Sequence, residues 1–448
     1  MHMLARVYAA MGPRGEALGR SPAHALRSLA LAAVAFAPAA RAQNLTILVK
    51  DGDVIPGFGG ATVIKIDDVE VNDQGSWLAR TNTTNNTVVL RNGLMLTRFD
   101  EPLSQPAGAS IASFGVLQLD DTDRATWNLF LAGPTLSFGD DSGIYRDLGL
   151  VVQESSVSTA PQLPPGTTYT GFWGARNDGS NKLLVMWTPS GSVLRALSVL
   201  TVDNSGNLLA ENVVAQAGDT IGTPPAVISD FTTTRNAWDF DRNAHALYLA
   251  DTNAAATNDG MLMFDTTMLV REGTASPLGG RNWEGLLGRA IALNDAGEFV
   301  FSADVDGATT DDLVICKNGT TIVAQEGASL PAIGGFTFTG FGSGALELDN
   351  SGNVFWYGDW NDPNTAVDTG FFRNGQLVIQ KGVTQVGGLT VTGLSAVQDN
   401  FAISRDGRYA IVVCVLSGTL DAAVLIDFGP PANSPVAFCA GDGSLTDH

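Results

Sequence analysis

Residues 294–323 read NDAGEFVFSADVDGATTDDLVICKNGTTIV, and this stretch contains the pattern that decides the fold. A tight turn, Asn294-Asp295-Ala296-Gly297, separates two apolar runs. An irregular segment leads to a third run, Leu313-Val314-Ile315, and the two-residue turn Asn318-Gly319 joins it to a fourth, Ile322-Val323. Asn-Gly between apolar runs is typical of a β-hairpin, because both turn residues adopt positive φ. The stretch therefore predicts a unit of four antiparallel strands.

The same unit recurs along the chain with a period of about 55 residues. Turns equivalent to the one at Asn294 occur six more times, at Asn72–Gly75, Asp120–Arg124, Asn177–Gly179, Asp241–Ala244, Asp349–Gly352 and Ser404–Gly407. The fourth strands are predicted to begin near Leu45, Leu94, Leu150, Leu208, Met268, Thr320 and Gln376. Four strands repeated at this period are typical of the blades of a β-propeller.

The two ends of the repeated region complement each other. Leu45-Thr46-Ile47-Leu48-Val49 is a fourth-type strand with no preceding three, and the last unit, ending at Ala423-Val424-Leu425-Ile426, lacks its fourth. Pairing of these strands would close a ring and remove its exposed edges. The sequence thus predicts an all-β, seven-bladed β-propeller over residues 43–429, with four-stranded blades and closure by the N-terminal strand. A pair of β-sandwiches or a β-solenoid is the alternative.

The flanking segments differ from the repeats. Several arginines precede the apolar run 28–37 and the small-residue site Ala40-Arg41-Ala42, which is typical of a secretory signal peptide. The run is shorter than the roughly 20 residues that span a bilayer. We predict a signal peptide over residues 1–42, no transmembrane segment, and an extracellular, periplasmic or cell-surface location. Residues 430–448, which include Pro430, Pro431 and Pro435, predict a linker into a further C-terminal segment.

The charge of the chain limits its partners. The formal net charge is −21 at pH 7, and removal of residues 1–42, with five Arg and one Glu, leaves −25. Such a surface repels nucleic acid and anionic membranes, because phosphate binding requires clustered Lys and Arg. It favours solubility, cationic ligands or divalent cations. We expect a monomer that binds no nucleic acid.

The repeats resemble a bacterial family of exported tandem-repeat proteins of the planctomycete type, described by an Asn-x-x-Gly-x-x-Ala-Phe repeat. The best match runs from Asn294 to Phe301, whereas Asp349 replaces the Asn of the motif in a later repeat. The ending Phe438–Gly443 is similar to the start of the Cys-rich tail of such proteins. The resemblance implies export and a propeller-like fold. Because the family has no established activity, it implies no site residues.

Histidine and cysteine are too scarce for several kinds of site. After residue 42 the histidines are His245 and His448, so two or three His ligands for a catalytic zinc cannot be assembled. His245 follows a turn and begins a strand, which favours a structural role over a place in a catalytic triad. Cys316 and Cys414 lie in apolar runs and are predicted to be buried, while Cys439 lacks an evident partner.

Acidic residues leave two possibilities open. Calcium could bind at the Asp-rich turns, although five or more oxygens would have to converge and no complete Asp-x-Asp-x-Asp-Gly loop is present. These turn residues also have a structural explanation, since Asn and Asp tolerate turn conformations and Gly supplies positive φ. Carboxylate pairs could support hydrolysis or elimination on a polysaccharide, but spacing in the sequence selects no pair.

The topology predicts which face of the disc carries a site. The short turns lie on one face, and the long, irregular connections, such as 251–260 and 381–398, lie on the other. We call these the short-turn face and the long-loop face. Binding residues tend to lie on loops held by a rigid scaffold, which favours the long-loop face and the channel mouth.

Within the long loops, Asp359-Trp360-Asn361-Asp362 is the most site-like stretch. Asp359, Trp360 and Asp362 are the predicted binding residues, because an aromatic ring beside carboxylates can stack on a sugar or hold a cation. The alternative is a Trp that covers the edge of a blade.

These observations favour a non-enzymatic, exported binding or display module for a glycan or protein ligand. A polysaccharide hydrolase or lyase that uses channel-mouth carboxylates, and a calcium-dependent adhesion module, are the alternatives. No catalytic residue and no metal ligand is predicted.

Overall fold

A computed structural model of the chain describes residues 43–430, which form seven antiparallel β-sheets arranged as the blades of one ring. The predicted all-β, seven-bladed propeller is confirmed. The predictions for the signal peptide over residues 1–42, for Cys439 and His448, and for the C-terminal segment after Pro430 lie outside the described residues.

Blades 1 to 3 each consist of four strands in chain order, counted from the axis outwards. The strands of blade 1 are Val63–Val71, Trp77–Thr83, Thr87–Arg91 and Leu94–Arg98. Those of blade 2 are Ser110–Leu119, Ala125–Ala132, Ser142–Arg146 and Gly149–Gln153. Those of blade 3 are Tyr169–Asn177, Lys182–Pro189, Ala196–Val202 and Leu208–Gln216.

In blades 4 to 7 the first strand is interrupted near its middle, a feature that the sequence analysis did not predict. Blade 4 has the inner segments Thr220–Ile221, Ala226–Phe231 and Trp238–Phe240, the short 3₁₀ helix Arg235–Ala237, and the strands Ala246–Thr252, Gly260–Phe264 and Thr267–Arg271. Blade 5 has Trp283–Gly285, Ile291–Leu293, Phe299–Val305, Leu313–Lys317 and Thr321–Gln325.

Blades 6 and 7 repeat this arrangement. A 3₁₀ helix, Pro331–Ile333, precedes blade 6, whose strands are Phe338–Gly340, Leu346–Leu348, Val354–Trp360, Thr369–Arg373 and Gln376–Gln380. Blade 7 has Gln385–Val386, Leu389–Leu394, the 3₁₀ helix Gln398–Asn400, Phe401–Ile403, Tyr409–Leu416, Leu420–Asp427 and, as its fourth strand, Asn44–Lys50.

The N-terminal strand closes the ring as predicted. Asn44–Lys50 pairs antiparallel with Leu420–Asp427, with Leu45 opposite Ile426 and Ile47 opposite Val424. Leu45 and Ile47 pack on the apolar cluster of blade 7, whereas Val49 is buried in a second cluster that it shares with blade 1. One strand therefore joins the last and first blades and fills the seam between them.

The Asn-Gly turns have the predicted conformation. Asn92, Asn318 and Asn374 have φ between 48° and 53°, and each is followed by a glycine with positive φ. Their Oδ1 atoms accept the backbone N–H of Trp77, Phe299 and Val354, respectively, at 2.8–2.9 Å. Each asparagine thus has two roles: it tolerates positive φ, and its side chain bonds the hairpin to the second strand.

The turns between first and second strands have a structural explanation as well. Asn294 Oδ1 accepts the N–H groups of Ala296 and Glu298, two and four residues further on. The same pair of bonds is made by Asn72, Asp120, Asp178, Asp241 and Asp349. These side chains replace backbone hydrogen bonds inside the turn, which explains why Asp241 and Asp349 are fully buried.

The hydrophobic core lies largely between neighbouring blades. Phe299 of blade 5 packs with residues of blade 4, and Phe355 of blade 6 packs with residues of blade 7. Cys316 and Cys414 are buried in these clusters, as predicted, and burial raises the pKa of each thiol to about 12. Among residues 43–430, no helix has the length and apolar character needed to cross a bilayer.

Candidate functional sites: the axial channel and the long-loop face

The central axis is lined by first strands, which contact one another from blade to blade. Each first strand runs from the long-loop face to the short-turn face, so the position of a residue along its strand gives its depth in the channel. On this scale polar side chains occupy three successive levels. We call them the inner arginine level, the axial cavity and the turn level.

The inner arginine level is built around Arg235, whose side chain is only 6% exposed. Nη1 of Arg235 lies 2.7 Å from Oδ1 of Asp68 and 3.1 Å from Oδ1 of Asp399, and Nη2 bonds Glu70. Nη2 also lies 3.2 Å from the backbone carbonyl oxygen of Leu117. One guanidinium of blade 4 thus bonds to blades 1, 2 and 7 and fills the axis with a charged network.

The turn level lies at the short-turn face. Arg242 of blade 4 bonds Asp121 and places Nη2 2.6 Å from Oδ2 of Asp73, while Arg405 of blade 7 lies 3.2 Å from Asp295. The turns also bond each other, because the N–H of Asp406 donates to Asp73 across the seam of the ring. Arginine–carboxylate pairs therefore occupy the axis at this face.

The axial cavity lies between these two levels and has a volume of about 70 Å³. Its wall includes Glu70, Gln118, Arg176, Asp239 and Glu347. Since one water requires roughly 10–15 Å³ of such a cavity, the cavity has room for a few waters. It is smaller than the cavity of about 150 Å³ that holds benzene in another protein, which argues against a bound sugar ring here.

Two carboxyl groups of the axial cavity have displaced pKa values. Burial, together with nearby Asp239, raises the pKa of Glu347 to about 7. Burial also raises the pKa of Glu70 to about 8, although Arg235 acts in the opposite direction. Glu70 accepts a hydrogen bond from Nε2 of Gln118 at 2.8 Å, and Glu347 accepts one from Gln398. Desolvated carboxyl groups therefore line the channel, as carboxylate catalysis would require.

Replacement of Glu347 by Gln is expected to reduce the pH dependence of stability. A carboxyl group whose pKa is higher in the folded than in the unfolded chain stabilises the fold below the unfolded pKa, and this contribution disappears as the pH rises through the folded pKa. For Glu347 that window runs from 4.5 to about 7. The wild type should therefore lose roughly 2–3 kcal/mol of unfolding free energy between pH 4.5 and pH 8 that the variant keeps.

Urea unfolding at pH 5 and pH 8 measures this difference. Glu284→Gln is the matched control, since Glu284 is exposed and its replacement should leave the wild-type pH dependence intact. An equal loss of stability in the wild type and in Glu347→Gln would contradict the prediction.

A second, larger cavity of about 190 Å³ lies between blades 5 and 6, where their first strands are interrupted. The interruption of blade 5 contributes Gly288, Arg289 and Ala290, and that of blade 6 contributes residues 341–345. We call it the blade 5–6 pocket. Its size is in the range of a single six-membered ring.

The exposed apolar side chains are concentrated on one face. Of the eleven large hydrophobic residues that are exposed in residues 43–430, Leu94 and Leu209 follow turns on the short-turn face. Eight others lie in long loops or in the parts of strands near the long-loop face: Val54, Ile64, Phe130, Phe138, Val157, Trp173, Leu194 and Val383. Val397 lies in the interruption of the first strand of blade 7. Trp173 is 42% exposed, with the guanidinium of Arg195 4.6 Å from its ring centre.

Of the three residues predicted to bind a ligand, Trp360 is buried, whereas Asp359 and Asp362 are partly exposed. Trp360 is only 3% exposed and packs edge-on against Phe372 within blade 6. Asp359 accepts a hydrogen bond from the hydroxyl of Tyr357 at 2.7 Å, and Asp362 accepts the N–H of Asn364. Burial raises the pKa of Asp359. Binding at this stretch stays a prediction, and the buried indole leaves the two carboxylates as its accessible part.

His245 lies on the short-turn face, and so do the Asp-rich turns at which calcium could bind. Nδ1 of His245 lies 2.7 Å from Oδ2 of Asp265, and the imidazole ring packs against Phe264. The structural role of His245 stays a prediction. Within residues 43–430, no three His, Cys, Asp or Glu side chains are grouped as metal ligands. Calcium binding stays a hypothesis.

Comparisons with known proteins leave the chain without an assigned family. No protein-family model and no curated protein matches it. Similar solved structures include an oligogalacturonate lyase in complex with manganese (13% identity over 86% of this chain and 97% of that chain, TM-score 0.38). Prolyl oligopeptidase B from Galerina marginata (10% identity, 79% and 47% covered, TM-score 0.39) and a gluconolactonase from Xanthomonas campestris (11%, 86% and 94%, TM-score 0.26) are others. TM-scores below 0.5 carry no argument about activity or ligand.

Proposed function

We propose that this protein is an exported, non-enzymatic propeller that binds a glycan through its long-loop face. The observation that carries the proposal is the distribution of exposed apolar side chains, eight of eleven on that face. Contiguous exposed apolar patches mark interaction surfaces on soluble proteins, and we expect such a patch on the long-loop face, where these side chains are concentrated. Export rests on the signal-peptide pattern of residues 1–42.

A glycan is favoured as the ligand by the chemistry of the same face. Phe130, Phe138 and Trp173 present aromatic surface on which a sugar ring can stack. Carboxylates accompany them, since Asp230 bonds Arg195 beside Trp173, and Asp251 lies on the next blade. Sugars are commonly recognised by such a combination, because their C–H faces pack on aromatic rings and their hydroxyl groups donate to acidic acceptors.

A glycan array probed with the purified protein tests the proposal. Trp173→Ala is expected to weaken binding to the selected glycan at least tenfold. The matched control is Leu209→Ala, which removes an apolar side chain from the short-turn face that is 65% exposed, more than Trp173, and should bind like the wild type. Equal loss in both variants, or no bound glycan, would overturn the proposal.

Polysaccharide hydrolysis or elimination is the second candidate function. It is favoured by the raised pKa values of Glu70 and Glu347 in the axial cavity. The arginine levels on both sides, and the volume of about 70 Å³, oppose entry of a polysaccharide. Release of reducing ends or unsaturated products by the wild type, lost in Glu347→Gln, would establish this candidate instead.

A further inference from the structure

The blade 5–6 pocket contains backbone donors without acceptors. In the interruption of blade 6, the N–H groups of Gly342, Ser343 and Gly344 make no hydrogen bond to any residue in the range 43–430. Gly344 is buried. A buried backbone N–H is nearly always paired with protein, water or ligand, so the N–H of Gly344 requires an acceptor that residues 43–430 do not supply, while the exposed N–H groups beside it can donate to water or to a ligand.

The glycines of this segment hold it close to its neighbours. A side chain at Gly342 would lie 2.4 Å from Cβ of Ala396, and one at Gly344 would lie 2.7 Å from Nδ2 of Asn236. Gly342 also has φ of +72°, in the left-handed region. Consecutive N–H groups around a left-handed residue form a concavity that suits an anion.

The remaining wall combines polar and apolar groups. Arg289 and the hydroxyl group of Ser302 line the side that belongs to blade 5. Leu313, Ile315 and Phe341 provide an apolar surface. Pockets for small ligands typically have this composition, in which apolar surface provides area and a few polar groups fix the orientation.

We propose that the blade 5–6 pocket binds a carboxylate that is carried on a six-membered ring. The N–H groups of Gly342, Ser343 and Gly344 donate to the carboxylate, and the ring lies on the apolar wall. The volume of about 190 Å³ fits one ring. The inference rests on the proposed function and deepens it, because it names an acidic group of the ligand and a pocket between blades 5 and 6 that binds it.

The electrostatics of the pocket limit the ligand to one negative charge. Arg289 is the cation that lines it, and its guanidinium already bonds Asp304. The chain as a whole carries −21, so a phosphate or sulfate dianion is repelled more strongly than a carboxylate. A monoanion whose charge is shared among several N–H donors suits these surroundings.

Titration calorimetry with matched ligands tests the inference. Glucuronate and glucose differ in the carboxylate of a sugar ring, and benzoate and benzyl alcohol differ in the carboxylate of an aromatic ring. At least one acid is expected to bind tenfold or more tightly than its neutral partner. Whichever acid binds more tightly, glucuronate or benzoate, shows whether the ring of the ligand is a sugar or an aromatic ring. Equal affinity within both pairs, or no binding by either acid, would overturn the inference.

Two variants of one exposed residue locate the site. Ser343→Asp places a negative charge among the N–H donors and should weaken binding of the acid at least tenfold, while Ser343→Asn, of similar size but neutral, should stay within about twofold of the wild type. Ser205→Asp adds the same charge on the short-turn face as a control. Wild-type affinity in Ser343→Asp would contradict the assignment.

The two proposals fail separately. If Ser343→Asp keeps its binding on the glycan array whereas Trp173→Ala loses it, the pocket assignment is wrong and the proposed function stands. If an acid binds the pocket but the array shows no glycan, the pocket stands and the proposed function is wrong.

Discussion

Deletion of residues 43–50 is expected to abolish stable folding of the propeller. The deletion removes the fourth strand of blade 7, so Leu420–Asp427 becomes an exposed edge. Buried Val49 is also lost from the cluster that joins blades 7 and 1. An open edge next to an unfilled seam favours aggregation over a closed ring. The expected result is loss of the cooperative thermal transition, measured by circular dichroism.

A chain that begins at residue 43 is the control and should melt like the full-length protein. A synthetic peptide of residues 43–50 should partly restore the transition of the deleted chain, because an added strand pairs with an open sheet edge. A cooperative, monomeric deletion variant with unchanged melting temperature would contradict ring closure as the source of stability.

Replacement of Arg235 by Met is expected to lower the free energy of unfolding by about 3–5 kcal/mol, the usual range when one partner of a buried ion pair is removed. Asp68 is fully buried and would lose the guanidinium that lies 2.7 Å from its carboxylate. Glu70 and Asp399 would lose the same partner. Urea unfolding of the wild type and the variant measures the difference.

Arg98→Met is the matched control, because the side chains of the Arg98–Glu101 pair are 41% and 35% exposed and solvent-accessible pairs contribute roughly 0–1 kcal/mol. The triple variant Arg235→Met, Asp68→Asn, Glu70→Gln should recover part of the loss, since it leaves fewer buried charges without a partner. A loss below about 1 kcal/mol in Arg235→Met would show that the inner arginine level is not a buried network.

The fold was predictable because its signals are local and repeated. Asn92, Asn318 and Asn374 each mark a hairpin by a requirement for positive φ that few residues meet. Ring closure followed from counting strands at the two ends, and the predicted starts of the fourth strands differ from the observed ones by at most one residue. Repetition allowed weak turns, such as the one at Asp241, to be placed by their stronger equivalents.

The site residues were harder to predict because they come together across the ring. Arg235 and Asp68 are 167 residues apart in sequence, and nothing in the neighbourhood of either indicates the other. The sequence left open whether Trp360 stacks on a ligand or covers the edge of a blade, and the structure buries it within blade 6. One feature of the sequence indicates the blade 5–6 pocket, the glycine-rich stretch Gly340-Phe341-Gly342-Ser343-Gly344. Glycines inside a strand pattern often mark an irregularity or a close backbone approach.

Hydrogen–deuterium exchange of the native protein tests ring closure, on which the placement of every site depends. The paired amides of Asn44–Lys50 should exchange together with those of Leu420–Asp427, at rates set by global unfolding, because the two strands form one sheet. Exchange of residues 44–50 at the rate of an unstructured peptide, while residues 420–427 stay protected, would contradict the closed seven-bladed ring.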